Sequence, residues 1–416
     1  MKRIFYAIAS LFILSNTLVG QTAIDTVSTS AGYTDQVWYS LANDEQARSG
    51  QTDWDIAFSI TGFSASIYAN TAKGLEVYIY PNGDTATWDA VDTMGMNAWN
   101  AYHNDPTSWG KGAFNAGIDP EDDIDLGWGT YSFITHFVTG DSLFVLKMPN
   151  GSIQKLWIKQ LASGVYTFRH ASLDGMMDMT HSVAKADYEN RNFAYYNLTT
   201  HSSSNPEPHN AEWDLLFTRY IDFIPVPYGV SGVLLNSGVE AIKAYPVSDP
   251  TTYDDYPSHS FVAEANKIGW DWKSFDFQNG WQIADSLVYF VKAKDETIWK
   301  IVFTEFGGSG NGNFIFEKTQ ITATSIDDLE AKPYFSAYPN PLNGNDLSIV
   351  LDYAKSDPDA EISLVDLQGR TLMREAVQLL PGLNQYPVRV PQLASGVYFL
   401  RLKYAGGQLS TRVVQP

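Results

Sequence analysis

The sequence predicts a mainly β protein with two tandem antiparallel β domains followed by a small C-terminal β sandwich. Three observations support this fold class. Apolar and polar residues alternate through most of the chain, and turn clusters of Gly, Pro, Asn and Asp recur at short intervals. In addition, a set of short sequence motifs occurs twice in the same order. Stripes of apolar residues with the 3.6-residue period of a helix are few.

Two β-rich runs end in the same turn-forming tripeptide. Residues 76–80 lead into Pro81-Asn82-Gly83, and residues 142–148 lead into Pro149-Asn150-Gly151. Branched and aromatic residues favour strands, and Gly supplies the positive φ that a tight turn requires. We therefore expect a β-hairpin at each of these sites.

The repeated motifs indicate a duplicated β domain, because only one or two such matches in the same order would be expected by chance. We place the two copies at residues 21–186 and 187–325. The matching pairs are residues 52–58 with 211–217, 37–41 with 194–198, 127–128 with 269–270, 141–143 with 285–287, and 165–168 with 313–316.

Size and charge exclude several classes of protein. The chain has 416 residues, which is longer than a domain with a single hydrophobic core usually is, so several domains are expected. A net charge of −20 argues against nucleic acid or an anionic membrane as partner, since both require a basic face. With no Cys, the chain has neither disulfides nor cysteine-ligated metal.

Residues 1–20 have the three parts of a signal peptide. Lys2 and Arg3 precede an apolar run from Ile4 to Val19, and the small residue Gly20 follows. The run is too short for a membrane span, and no later segment is apolar enough for one. We therefore predict export across the inner membrane and no membrane-spanning segment.

The composition becomes polar at a predicted linker, residues 326–332, before the domain at 333–416. Three motifs follow in order: Tyr-Pro-Asn-Pro at 338–341, Asp-Leu-Gln-Gly-Arg at 366–370 and Ala-Ser-Gly-Val-Tyr at 394–398. This segment resembles the type A C-terminal sorting domain of the bacterial type IX secretion system. The resemblance implies that the secretion machinery is a partner and that the protein is secreted or lies on the outer cell surface.

The duplicated region resembles the HmuY-like family of secreted β proteins that bind haem. The resemblance rests on Asp53-Trp54-Asp55, on the Gly127-Trp128 pair and on the aromatic strand at residues 165–168. It implies haem as a cofactor, with iron held between two axial His or Met side chains on loops that flank the Gly-Trp strand.

In the first copy, His103 and His136 fall near the positions that this resemblance assigns to the axial ligands. Imidazole nitrogen is a suitable ligand for haem iron. Further residues have supporting roles in this hypothesis: Met94, Met96 and Met148 as reserve ligands, and Trp99, Tyr102 and Trp109 as a cover for the porphyrin. In the second copy, His259 occupies the earlier loop, but Phe275 stands at the later position.

Other functions stay open at this point. The aromatic residues would also suit an adhesin or carbohydrate-binding protein without metal, although Trp54 and Trp213 are expected in the core with satisfied indole N–H groups. A polysaccharide hydrolase is a third alternative. No nucleophile elbow, metalloprotease motif or nucleotide-binding loop occurs, so we expect a binding protein rather than an enzyme.

Overall fold

The computed structural model describes residues 22–321, 334–342, 344–353, 357–380, 382–404 and 407–416. The predicted signal peptide, 1–20, and linker, 326–332, lie outside these residues. The chain divides into two compact units, Met1–Thr322 and Ala323–Pro416. Across the described ranges, no helix has the length and apolar character needed to cross a membrane.

The elements confirm the mainly β fold class. The strands of the first unit are, in chain order, β1 (Ala23–Ser28), β2 (Asp35–Ser40), β3 (Asp44–Gly50), β4 (Ile56–Ser59), β5 (Ile67–Ala69), β6 (Glu76–Ile79), β7 (Gly129–Tyr131), β8 (Val138–Gly140), β9 (Phe144–Lys147), β10 (Ile153–Ala162), β11 (Val165–Ser172), β12 (Met179–Ala184), β13 (Phe193–Asn197), β14 (Ser202–Ser204), β15 (Leu215–Phe223), β16 (Pro227–Leu235), β17 (Glu240–Ala244), β18 (Lys273–Asp276), β19 (Gly280–Ile283), β20 (Val288–Lys292), β21 (Ile298–Phe306) and β22 (Asn313–Ile321).

Helical segments are short and lie between strands. One α-helical turn, α1, spans Gly308–Asn311. The 3-10 turns are Ala31–Tyr33, Thr71–Lys73, Thr85–Ala90, Met96–Ala98, Ala113–Asn115, Lys185–Tyr188 and Tyr256–Ser258.

The strands of the first unit form two bodies, each with two main antiparallel sheets, and the second body has a small two-stranded sheet in addition. The first body contains β4 to β14: a seven-stranded sheet (β12-β11-β10-β8-β7, with β9 paired to β10 and β6 paired to β9) and a four-stranded sheet (β14-β13-β4-β5). The second body contains β1 to β3 and β15 to β22. Its sheets are five-stranded (β1-β22-β21-β20-β17), four-stranded (β16-β15-β2-β3) and a small pair, β18-β19.

Each body has its own apolar core, built from the inward-facing residues of alternating strands. Trp128, Phe144 and Phe168 lie in the first core. Phe217, Trp272 and Phe316 lie in the second. Burial of apolar side chains, aromatic and aliphatic, stabilises each body.

The strand pairing groups the residues differently from the predicted repeats. β13, from the second predicted copy, pairs with β4 of the first. Conversely, β1 and β2 of the first copy pair with β22 and β15 of the second. Hence the boundary placed between residues 186 and 187 does not separate the strands, because each copy gives its opening strands to the other body.

A layer of mainly aromatic side chains, which we call the interbody layer, joins the two bodies. Its buried members include Trp38, Trp54, Tyr68, Tyr195 and Trp213. The ring of Tyr195 lies edge-on to both Trp38 and Trp54, at centroid distances of 6.4 and 5.2 Å. The layer therefore contains residues from strands of both bodies, which belong to one compact unit.

One of the two predicted hairpins is confirmed. Gly151 has φ 82° in the turn between β9 and β10, which pair directly. The hairpin predicted at Pro81-Asn82-Gly83 is wrong. β6 pairs instead with β9, and the chain enters the 3-10 turn Thr85–Ala90, where the Asp84 side chain accepts a hydrogen bond from the N–H of Ala86.

The C-terminal unit is the predicted small β sandwich. Its strands are β23 (Tyr334–Tyr338), β24 (Asp346–Tyr353), β25 (Asp357–Val365), β26 (Thr371–Leu379), β27 (Gly382–Arg389), β28 (Gly396–Tyr404) and β29 (Gly407–Gln415). A three-stranded sheet, β23-β24-β27, and a four-stranded sheet, β26-β25-β28-β29, enclose one core. Gly369 has φ 79° in the turn between β25 and β26, where a residue with a Cβ would be strained.

Candidate functional site

His103, the first predicted haem ligand, is half-buried beside the end of β15. Its ring lies edge-on to that of Phe223, with centroids 6.1 Å apart. The Nδ1 atom is buried and has no hydrogen-bond partner in the described part of the chain. Burial lowers the pKa of His103, and the nearby Glu76 carboxylate opposes this shift. The site therefore favours a neutral imidazole with a free lone pair.

His136, the second predicted ligand, lies in the exposed turn between β7 and β8 with φ 57°. Its Nδ1 is 2.7 Å from the Tyr131 hydroxyl oxygen. This contact orients the ring and does not involve Nε2. Phe133 and Ile134 in the same turn are 71% and 92% exposed. The two histidines thus lie in different surroundings, His103 against Phe223 and His136 beside Tyr131.

The aromatic residues predicted to cover a porphyrin are used for packing. Trp109 lies against the interbody layer, and its indole N–H donates to the Leu235 carbonyl at 2.7 Å. Trp99 packs edge-on to Tyr78 and Tyr80. Tyr102 forms an isolated β-bridge with Val77. Because Trp99 and Trp109 already have these partners, a role as a porphyrin cover is not supported.

The reserve ligands and the second copy also have definite positions. Met148 is buried in the first core, and Met96 is half-buried, whereas Met94 is exposed. In the second body, the Nε2 atom of His259 lies 2.8 Å from the Tyr253 hydroxyl oxygen. Phe275 on β18 is 53% exposed.

Trp54 and Trp213 lie in the core, as expected from the sequence. Their indole N–H groups, however, have no hydrogen-bond partner among the described residues. That part of the expectation is wrong, because both rings are enclosed by other aromatic and aliphatic side chains of the interbody layer. Burial among apolar groups offers an indole N–H few acceptors.

A group of potential metal ligands that the sequence analysis did not identify lies at one end of the first body. His170, His181 and His201 each place one ring nitrogen within 4.8 Å of those of the other two. We call these three residues the histidine cluster. His170 on β11 is 1% exposed, and the other two are half-buried. The Nε2 of His170 and the Nδ1 of His201 are 3.4 Å apart.

Local structure explains why the three side chains meet. His170 follows Tyr166 and Phe168 at alternate positions of β11, so all three face the core. β12 pairs with β11 and places His181 opposite Phe168. His201 ends a turn in which the Asn197 side chain accepts hydrogen bonds from the N–H groups of residues 199 and 200.

Burial disfavours the charged form of two histidines of the cluster, His170 and His181. Burial, together with His181 and His201, lowers the pKa of His170 to about 4. Burial also lowers the pKa of His181, with a further contribution from His201. Tyr196 borders the cluster, with its ring 5.2 Å from that of His181, and burial raises the pKa of Tyr196 to about 12.

A signal for this cluster was present in the sequence. Extending the match of residues 165–168 with 313–316 by two positions pairs His170 with Lys318. Extending the match of 37–41 with 194–198 by three positions pairs His201 with Asp44. At both of these positions a histidine corresponds to a charged residue in the other copy. The third member, His181, could not be found in this way, because it joins the cluster through the pairing of β12 with β11.

The C-terminal unit matches a known family. Residues 336–415 match the Secretion system C-terminal sorting domain, which confirms the resemblance of 333–416 to a sorting domain. The protein is therefore exported by the type IX secretion system to the cell surface or beyond it. The sequence matches no curated protein.

Comparison with solved structures finds chains of weak overall similarity. A protein described as a lipoprotein from Bacteroides fragilis NCTC 9343 has 18% identity and a TM-score of 0.17, with 38% of this chain and 89% of that one covered. A protein described as HmuY-like and heme-binding, from Bacteroides vulgatus ATCC 8482, has 14% identity and a TM-score of 0.18, with 38% and 91% covered.

A polysaccharide lyase has 8% identity and a TM-score of 0.17, with 77% of this chain and 43% of that one covered. One of these structures is thus described as HmuY-like. At these scores the likenesses establish no function for this chain.

Proposed function

We propose that the protein is an exported binding protein whose ligand is haem or a similar planar molecule. The observation that carries this proposal is the environment of His103, whose buried Nδ1 atom lacks a hydrogen-bond partner in the described residues and lies beside Phe223. Such a nitrogen loses little on entering an iron coordination sphere, since it gives up no existing hydrogen bond.

His136 is proposed as the second axial ligand. The Tyr131 hydroxyl fixes one nitrogen of its ring, which is the arrangement that orients a metal-ligating histidine. The exposed side chains of Phe133 and Ile134 would lose contact with water on packing against a porphyrin.

A haemin titration followed by quenching of tryptophan fluorescence tests this assignment. We expect His103→Ala and His136→Ala each to weaken binding by about tenfold or more, a loss of about 1.4 kcal/mol. His209→Ala, a histidine at an exposed position, is the matched control. Unchanged affinity in both variants would remove these residues as ligands.

A second candidate function is glycan binding without metal. A groove of about 400 Å³ in the second body is lined by aromatic side chains, among them Tyr228, Phe275 and Trp281, together with Arg219 and Lys273. Tyr228 and Trp281 are 63% and 36% exposed, and exposed rings of this kind stack on sugar faces. Glycan binding that Trp281→Ala abolishes and His103→Ala preserves would favour this function over haem binding.

A further inference from the structure

We infer that the histidine cluster, His170, His181 and His201, is a binding site for a late first-row divalent transition ion such as Zn²⁺. The site is separate from the proposed haem ligands and does not depend on them. Three imidazole nitrogens favour zinc, copper or nickel over calcium and magnesium, which take oxygen ligands. His181 and His201 are half-buried, so an ion can reach the cluster from solvent.

The geometry is close to that of a metal site. Zinc bonds to nitrogen at about 2.0–2.1 Å, so two ligands of a tetrahedral ion lie about 3.3 Å apart. The separation of 3.4 Å between His170 Nε2 and His201 Nδ1 meets this requirement. The rings of His181 and His201 are almost parallel, at 3°, so ion binding must rotate at least one ring about χ2, a torsion with broad minima.

Two polar atoms in and beside the histidine cluster are buried without partners among the described residues. Neither His181 Nε2 nor the Tyr196 hydroxyl has a hydrogen-bond partner within the described ranges, although both atoms are buried. Tyr196 is 2% exposed and its ring lies next to His181. Unpaired buried polar groups are costly, and a bound ion would relieve this cost by accepting the imidazole lone pair.

The second body contains the same arrangement with different residues. Lys318 stands two residues after Phe316 on β22, just as His170 stands two residues after Phe168 on β11. β1 places Asp25 opposite Phe316, and β12 places His181 opposite Phe168. The cluster positions on these two strand pairs therefore correspond one to one.

The third position corresponds as well. Asp44 follows Tyr39 of β2, and His201 follows Tyr196 of β13, at the same separation in the chain. Both residues adopt a left-handed backbone conformation, with φ 63° for Asp44 and 55° for His201. The two tyrosines occupy matching registers, opposite Leu215 and opposite Ile56.

In the second body these positions hold a cation. The Lys318 ammonium group lies 3.2 Å from an Asp25 carboxylate oxygen, forms an ion pair with Asp44 and lies 2.5 Å from the Tyr39 hydroxyl. The first body presents three imidazole side chains and a tyrosine around the corresponding space, and no Lys or Arg side chain is among these four. We therefore assign that position in the first body to a bound metal cation.

Titration of the chelator-treated full chain with Zn²⁺ tests this inference. Calorimetry should show one ion bound per chain and a higher melting temperature in its presence. His181→Ala and His201→Ala should each weaken Zn²⁺ binding by about 100-fold or more, and His209→Ala should leave it unchanged. With Cu²⁺ in place of Zn²⁺, paramagnetic resonance should show coupling to imidazole nitrogen.

A variant that carries the corresponding residues of the second body distinguishes loss of the metal ligands from misfolding. The triple change His170→Lys, His181→Asp and His201→Asp builds the ion cluster of the second body into the first. It should fold cooperatively and bind no Zn²⁺ at the site. The inference is overturned if the wild-type chain binds no stoichiometric Zn²⁺, or if the triple variant or both single variants bind it as tightly as the wild type. None of these outcomes bears on haem binding by His103 and His136.

Discussion

The Asp55 carboxylate accepts a hydrogen bond from the backbone N–H of Leu198 at 2.7 Å, although 143 residues separate them. The equivalent residue of the second repeat, Asp214, accepts one from the N–H of Leu41 at 2.8 Å. Each repeated Trp-Asp motif therefore fixes the chain that follows a strand donated by the other repeat. Asp55 also forms an ion pair with Lys73 at 2.5 Å, with both side chains almost fully buried.

The first prediction is that Asp55→Asn destabilises the protein more than Asp214→Asn. Removing the Asp55 charge leaves the Lys73 ammonium buried without its counterion, which costs about 3–5 kcal/mol. Asp214 has no ion pair within the described residues, so its replacement should cost about 1–2 kcal/mol. Urea denaturation of both variants measures the difference, and equal losses would show that the Lys73 pair contributes nothing.

The second prediction concerns the exchange of strands between the repeats. Residues 22–186 lack β13 and β14, while residues 187–321 lack β1 to β3, so neither fragment has all the strands of a body. We expect neither to melt cooperatively alone, and the mixed fragments to regain a cooperative transition by circular dichroism. Cooperative melting of both isolated fragments would support the repeat boundary taken from the sequence.

The third prediction concerns Glu207, a buried residue next to β13. Its carboxylate accepts the backbone N–H groups of Asn192 and Phe193 at 3.0 and 3.1 Å. Burial nonetheless raises the pKa of Glu207 to about 7. A raised carboxyl pKa means that the folded state binds more protons than the unfolded state between pH 4.5 and 7, so stability falls as pH rises through this window.

Glu207→Gln should remove this part of the pH dependence. Relative to the variant, the wild type should lose about 3 kcal/mol of unfolding free energy between these pH values and then show no further loss above them. Urea denaturation of both proteins across the range isolates the contribution, because all other titrating groups are shared. A constant difference between the two curves would contradict the raised pKa.

The fourth prediction concerns export. Deleting residues 333–416 should leave a folded protein retained in the periplasm, since the first unit, Met1–Thr322, has cores of its own. Cell fractionation with an antibody to the first unit measures the distribution. Normal amounts of the truncated protein outside the cell would show that another segment directs export.

Much of the fold followed from local sequence patterns, but the partners of the strands did not. Alternation and turn residues identify a strand such as Ala23–Ser28 without indicating that it pairs with Asn313–Ile321 at the far end of the unit. Such long-range pairing depends on packing between whole bodies. The hairpin at Gly151 was predictable because its turn and both strands are adjacent in the chain.

The proposed haem ligands and the histidine cluster show the same contrast between local sequence patterns and long-range contacts. His103 and His136 were selected through a family resemblance, which carries no information about the distance between them. The histidine cluster combines residues from β11, from β12 and from the turn before β14. In the sequence, His170 and His201 differ from their counterparts in the repeat, which are Lys318 of the second copy and Asp44 of the first.

The visible absorption spectrum of the purified full chain with one equivalent of haemin tests the proposed binding function most directly. Coordination by two axial histidines predicts a sharp Soret band and low-spin bands, and both should be lost in His103→Ala and His136→Ala, because iron with one protein ligand becomes five-coordinate or takes water. A spectrum that remains that of free haemin in the wild-type protein would contradict haem binding.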